Sequence, residues 1–146
     1  KFDVHTLSGI VSVLGTQFNV KNRENFFEVT CFEGAVNVTY KKQVITLTKG
    51  NVFSVINNTV HHTNTTTRLP DWQENKSSFR SLPYDYILKE FERQYNIPIL
   101  TTDIDLTVLF TGSFVHHDIQ TALQSITIPM RLHYTINDKN ITLYKE

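Results

Sequence analysis

The chain has 146 residues, with 14 Lys plus Arg balanced by 14 Asp plus Glu, so it lacks the basic excess of a typical nucleic-acid binder. Hydrophobic residues at 40% and aromatics at 12% exclude a largely disordered chain and can fill the core of one average domain or two small ones. No apolar run approaches the roughly 20 residues of a membrane helix. The sequence opens directly in an extended pattern at Lys1-Phe2-Asp3-Val4, which reads as a segment of a longer protein.

Val, Ile and Thr number 13, 12 and 19, whereas Ala occurs twice. β-branched side chains lose rotamer freedom in helices and pack well on pleated surfaces, so strands should dominate. Period-two alternation predicts short strands at Val4 and over 10–14, 17–20, 26–32, 35–40, 44–47 and 52–56, with a last one near 60–67. Glu33-Gly34 and Lys41-Lys42-Gln43 read as hairpin turns on either side of the strand Ala35 to Tyr40. Strands repeated about every ten residues, with no helical period between them, predict an all-β, stacked or solenoid-like first domain over residues 1–70. Residues 71–78 are polar around a single Trp72 and read as a linker.

From 79 to 146 the period changes. Tyr84, Ile87, Leu88, Phe91 and Tyr95 follow helical spacing behind Pro83, and Asn96 and Pro98 close that helix before a strand at 97–100. Phe110 to Val115 reads as a strand, and Asp118 caps a second helix with Ile119, Ala122, Leu123 and Ile126 on its apolar face. A closing hairpin over 131–136 and 140–144 completes a small βαβ-βαββ domain, with two helices expected on one face of a sheet. The predicted fold class is therefore mixed: all-β, then α+β.

Candidate chemistry is thin. His61-His62 and His116-His117 are adjacent pairs whose rings point to opposite faces of a strand, and no CxxC or HExxH spacing accompanies them, so no metal is expected. Ser113 lacks a nucleophile elbow, Gly15-Thr16 lacks the Lys of a P-loop, and Asp103 with Asp105 reads as loop capping. No catalytic residue and no cofactor is expected. Cys31, the only cysteine, sits in an apolar strand and reads as a small core residue. Sequons at Asn37, Asn57, Asn64, Asn75 and Asn140 carry little weight among 12 Asn and 19 Thr. Open sheets do leave unpaired edge groups, so strand addition is the physically natural use of such a chain.

Two segments resemble a known family. Gly9-Ile10-Val11-Ser12-Val13-Leu14-Gly15-Thr16-Gln17-Phe18-Asn19-Val20 is similar to the V-x-V-L-G-T-x-F-N-V signature of FecR-type anti-sigma regulators. Phe27-Glu28-Val29-Thr30 and Glu33-Gly34-Ala35-Val36-Asn37-Val38 resemble the strand pair that follows it, and Lys49-Gly50-Asn51 its next turn, with Lys where Pro is usual. Further on, Leu82-Pro83-Tyr84 through Asn96-Ile97 and Phe110-Thr111-Gly112-Ser113-Phe114 resemble the helix and F-T-G-x-F strand of the C-terminal domain in Bacteroidetes members, akin to the secretin and TonB short N-terminal fold.

The resemblance implies the periplasmic portion of a single-pass inner-membrane regulator. Such a protein binds the N-terminal signalling domain of a TonB-dependent outer-membrane transducer and relays ligand capture to an extracytoplasmic-function sigma factor. The sigma factor is held by a cytoplasmic part not found in this sequence. Docking is expected on the second domain, through an edge strand carrying Phe110, Thr111, Ser113 and Phe114 or one carrying Ile141, Leu143 and Tyr144. The rival expectation is a carbohydrate- or surface-binding β module with Trp72 and Tyr40 exposed side by side. Zero net charge also conceals a split. Residues 1–70 hold seven basic and four acidic side chains, net +3, and residues 71–146 hold seven and ten, net −3.

Overall fold

The computed structural model describes residues 2–13, 15–66 and 71–146, without the side chains of Phe2, Asp71 and Trp72. Leu14 and the end of the strand expected to reach residue 67 lie outside the described residues. The chain divides into two compact units, Lys1–Pro70 and Asp71–Glu146.

In the first unit, alternating β-branched and aromatic residues form eight strands in two four-stranded antiparallel sheets. One sheet has the order β1 (Phe2–His5), β2 (Ile10–Val13), β5 (Ala35–Tyr40), β6 (Gln43–Thr48). The other has the order β3 (Gln17–Arg23), β4 (Phe26–Glu33), β7 (Asn51–Ile56), β8 (Thr59–Asn64). Successive hairpins thus alternate between sheets, and each stacks on the hairpin two before it. Period-two alternation turns Val11, Val13, Val36, Val38 and Leu47 of the first sheet toward Phe27, Val29, Cys31, Phe53 and Val55 of the second, and these ten side chains form one buried core. Phe27 and Phe53 meet edge-on within it, with ring centroids 6.4 Å apart.

Glu33-Gly34, expected as a hairpin turn, is a corner between sheets. β4 pairs with β3 and β7, whereas β5 pairs with β2 and β6. Gly34 has φ +83°, and a Cβ on it would come within 2.5 Å of Thr16 Cγ2, so only glycine fits this close crossing. Lys41-Lys42 is the hairpin turn expected: Tyr40 faces Gln43, and the two lysines have φ of 46° and 67°. Positive φ at both central positions matches the right-handed twist of the flanking strands, but side chains larger than glycine strain it.

The second unit begins earlier than its helical period suggested. Residues 71–78, expected to link the units, instead hold a short 3-10 turn at Asp71–Glu74 and the start of β9 (Lys76–Pro83). β9 pairs antiparallel with β11 (Leu109–Val115). Polar Lys76, Ser77 and Ser78 hide this strand from a period-two reading, yet all three are half-buried in its ladder with β11.

Helix α1 (Tyr84–Tyr95) buries Tyr84, Ile87, Leu88 and Phe91. It starts behind Pro83 without a side-chain cap, and its first amides donate instead to the carbonyls of Val108 (2.9 Å) and Leu106 (3.0 Å). Asn96 ends it in a left-handed conformation. The Tyr84 hydroxyl, fully buried, donates to the Ile126 carbonyl at 2.7 Å, and burial raises its pKa well above the usual tyrosine value.

Helix α2 (Ile119–Thr127) buries Ala122, Leu123 and Ile126. Asp118 caps it, accepting from the amides of Gln120 (3.1 Å) and Thr121 (3.4 Å) and from the Thr121 hydroxyl (2.7 Å). The remaining strands, β10 (Ile99–Thr102), β12 (His133–Ile136) and β13 (Ile141–Tyr144), form a second sheet in the order β10-β13-β12. The order β-α-β-β-α-β-β is the one expected, but the strands divide into two small sheets rather than one.

Candidate docking surfaces

β11 separates buried from exposed side chains by simple alternation. Phe110 and Phe114 turn inward and are 2% and 1% exposed, whereas Leu109, Thr111 and Ser113 face solvent. Phe114 stacks on Phe79 of β9 at 5.7 Å and tilts against Phe91 of α1 at 5.1 Å, so the two phenylalanines hold the core together. A bulge between Phe110 and Gly112 interrupts the β9 ladder, and the Thr111 hydroxyl accepts the amide of Ser81 at 2.8 Å there. Of the four β11 residues expected to dock, only Thr111 and Ser113 are exposed. Outside its β9 side, β11 has no ladder partner among the described residues.

Ile141, Leu143 and Tyr144 were expected on an edge strand. The structure corrects this: β13 lies between β10, parallel to it, and β12, antiparallel to it. Ile141 and Leu143 are fully buried, and Tyr144 is half-buried with its ring stacked on His133 at 5.7 Å. The free edges of this sheet are β10 and β12, whose short length hid the order from sequence.

Residues with chemical potential take structural posts. Asp105 accepts from the amide (2.9 Å) and hydroxyl (2.6 Å) of Thr107, and those bonds hold its carboxyl below the usual range. Cys31 is buried with its sulfur 3.5 to 3.6 Å from the carbonyls of Gly34 and Glu33, and burial pushes the thiol up. His116 Nε2 lies 2.8 Å from Ser77 Oγ, a contact between β9 and the end of β11 that no local spacing announced. Among the described residues, no group of three or more His, Cys, Asp or Glu gathers as a metal site. Tyr40 packs on Phe53 at 5.8 Å, with Lys41 Nζ 5.4 Å from its ring centre. The Trp72 side chain expected beside it lies outside the described residues.

A feature that sequence reading missed opens on the first unit. The end strands β6 and β8 flank a groove of about 290 Å³ lined by Ile45, Leu47, Asn51, Val52, His62 and Asn64, among others. Its walls come from β6 and β8, which start at residues 43 and 59 in different sheets, with Asn51 and Val52 of β7 between them, so no local motif marks it. The available signal was electrostatic: residues 34–66 contain no Asp or Glu.

Comparison with known proteins matches each unit separately. The family model described as FecR protein matches residues 1–37, and the one described as FecR, C-terminal matches residues 76–143. No curated protein matches the chain. Two crystal structures of a candidate anti-sigma factor from Parabacteroides distasonis ATCC 8503 superpose with TM-scores of 0.88 and 0.89 at 24% identity, over 99% of this chain and 71% of that one. At that identity the likeness speaks for the fold. No helix among the described residues is long and apolar enough to cross a membrane. With one FecR model matching each unit, over residues 1–37 and 76–143, the chain belongs to the FecR family.

Proposed function

We propose that this chain is the periplasmic signalling region of a membrane-anchored FecR-type regulator. It docks the N-terminal signalling domain of a TonB-dependent outer-membrane receptor and passes ligand status to an extracytoplasmic-function sigma factor held elsewhere in the protein. The observation that carries the reading is the succession of a FecR unit and a FecR C-terminal unit within one chain. Docking falls to the second unit, on the exposed row Leu109, Thr111 and Ser113 beside the free edge of β11. Leu109 is 61% exposed on this row and offers an apolar anchor, while the edge short of Val115, whose carbonyl accepts the Tyr95 hydroxyl, can accept a partner strand.

The test is calorimetric titration of the 146-residue chain with the N-terminal signalling domains of the TonB-dependent receptors of the same organism. The expected result is a one-to-one complex that a Thr111→Arg/Ser113→Arg variant weakens at least tenfold. Both side chains face solvent, but Thr111 also accepts the Ser81 amide, so a matching far-ultraviolet spectrum and urea midpoint must accompany the comparison, and a Ser113→Arg single variant isolates the surface effect. No binding at high micromolar concentration would overturn the proposal, and an unchanged affinity in the variant would remove β11 from the surface.

A further inference from the structure

We infer that the groove between β6 and β8 is a second docking surface, built for an extended polypeptide segment that alternates apolar and acidic side chains. The inference concerns the first unit and does not depend on the receptor reading of the second. β6 and β8 each end a sheet, so among the described residues each has one edge without a strand partner. Thr59 faces Ile56 across a two-residue turn, and the amide of Thr65 donates to the Gly50 carbonyl at 2.8 Å. The alternation of an antiparallel ladder then turns the N–H and C=O groups of Val60, His62 and Asn64 outward, where an added strand would bond them.

The groove mixes apolar and polar side chains, and cations lie around it. Ile45, Leu47 and Val52 line it beside Thr46, Asn51, His62, Thr63 and Asn64, and Val60, opposite core-facing Val55 on β7, stands 43% exposed. From there a continuous set of contacts reaches a lysine. The His62 ring lies 5.5 Å from Phe53, Phe53 lies 5.8 Å from Tyr40, and Lys41 Nζ lies 5.4 Å from the Tyr40 ring centre. Lys42 shares the turn at one end of β6, and Lys49 follows the other end.

The charged and titratable side chains on β5 to β8 and their turns are Tyr40, Lys41, Lys42, Lys49, His61 and His62, with no carboxylate among them. The unit's acids lie on β1 (Asp3), the β3–β4 turn (Glu24) and β4 (Glu28, Glu33). Glu28 falls between inward-facing Phe27 and Val29 and so occupies the outer face of its sheet, away from the groove. Among the described residues, none of the three lysines forms an ion pair. An incoming strand with every second residue acidic would set carboxylates against these cations and apolar side chains against the groove floor. A basic strand would meet uncompensated like charge.

The probe is an acetylated, amidated octapeptide of alternating Glu and Val, titrated into the ¹⁵N-labelled 146-residue chain. Its Lys/Val counterpart is the control. The expected result is amide shift changes confined to the groove's strands and turns, residues 41–52 and 59–64, with affinity falling at least fivefold between 50 and 300 mM NaCl and again in a K41E/K49E variant. Both lysines are exposed, and the variant's free spectrum checks its fold. The inference is overturned if the Glu/Val peptide shifts nothing at millimolar concentration, or if the Lys/Val peptide binds equally well. It is also overturned by shifts outside these residues, by unchanged affinity in the variant, or by sedimentation showing that a second copy of the chain occupies the edges.

Discussion

Thr16 stands out at the scale of single residues, since its hydroxyl is buried without a hydrogen-bonding partner among the described residues. It lies under the Gly34 corner, where the chain passes from one sheet to the other and the methyl group fills the space a Cβ would need. An unpartnered buried hydroxyl costs desolvation with no return, whereas valine keeps the same shape. Thr16→Val should therefore raise the unfolding free energy by about 1 kcal/mol, read as a higher urea midpoint at unchanged slope. An unaltered or lower midpoint would show that the hydroxyl is satisfied. Sequence could place Thr16 beside a turn glycine but could not show what its hydroxyl met, because the neighbour that closes over it is 18 residues away. Cys31 is the contrasting case: its apolar strand announced a core thiol, and the structure buries it fully.

Two elements turn on local chemistry that the sequence displays. Asp118 caps α2, and its carboxyl is held below the usual range chiefly by the Thr121 hydroxyl, then by the amides of Thr121 and Gln120, with nearby His117 adding to the effect. Because the folded-state pKa is depressed, the ionised cap stabilises the fold above the ordinary aspartate range and loses that contribution as the pH falls through the folded value. Asp118→Asn should accordingly be less stable than the parent near neutral pH, with the gap narrowing at about pH 3. Urea melts at the two pH values decide it, and a gap that did not narrow would take the charge out of the cap. In the β5–β6 turn, Lys42 holds a φ of 67° that glycine adopts without strain. Lys42→Gly should gain about 0.5–1 kcal/mol, measured as a raised thermal midpoint; a loss would mean that the lysine side chain supports the turn.

Lys41-Lys42 and Glu33-Gly34 looked alike as turn signals between alternating strands. One joins neighbours in a sheet and the other joins two sheets, because pairing is decided by strands far away in the chain. Gly34 betrays the difference only through its closeness to Thr16.

At the scale of the whole molecule, the neutral chain comprises a unit of net +3 and a unit of net −3. If the acidic unit meets the receptor, a basic patch on that partner would speed encounter. The association rate, followed by stopped-flow fluorescence, should then fall several-fold between 50 and 300 mM NaCl while dissociation changes little. A salt-independent association rate would argue for an apolar docking surface around Leu109. The groove on the first unit carries the opposite sign, so its salt response follows acidic peptides.

The sequence by itself determined the strand-rich first unit, the two amphipathic helices, their order and the family signatures, because periodicity, turn residues and caps act over a few neighbouring positions. Alternation within β11 is local as well, but which of its faces turned inward, burying Phe110 and Phe114 that were expected to dock, was decided by packing against β9 and the helices. Strand order was settled only by tertiary structure. β13 became a central strand rather than an edge, polar residues 76–78 became part of a ladder, and β6 and β8 came together around a groove. Each depends on pairing between distant segments, where hydrogen bonds and buried apolar contacts outweigh local preference.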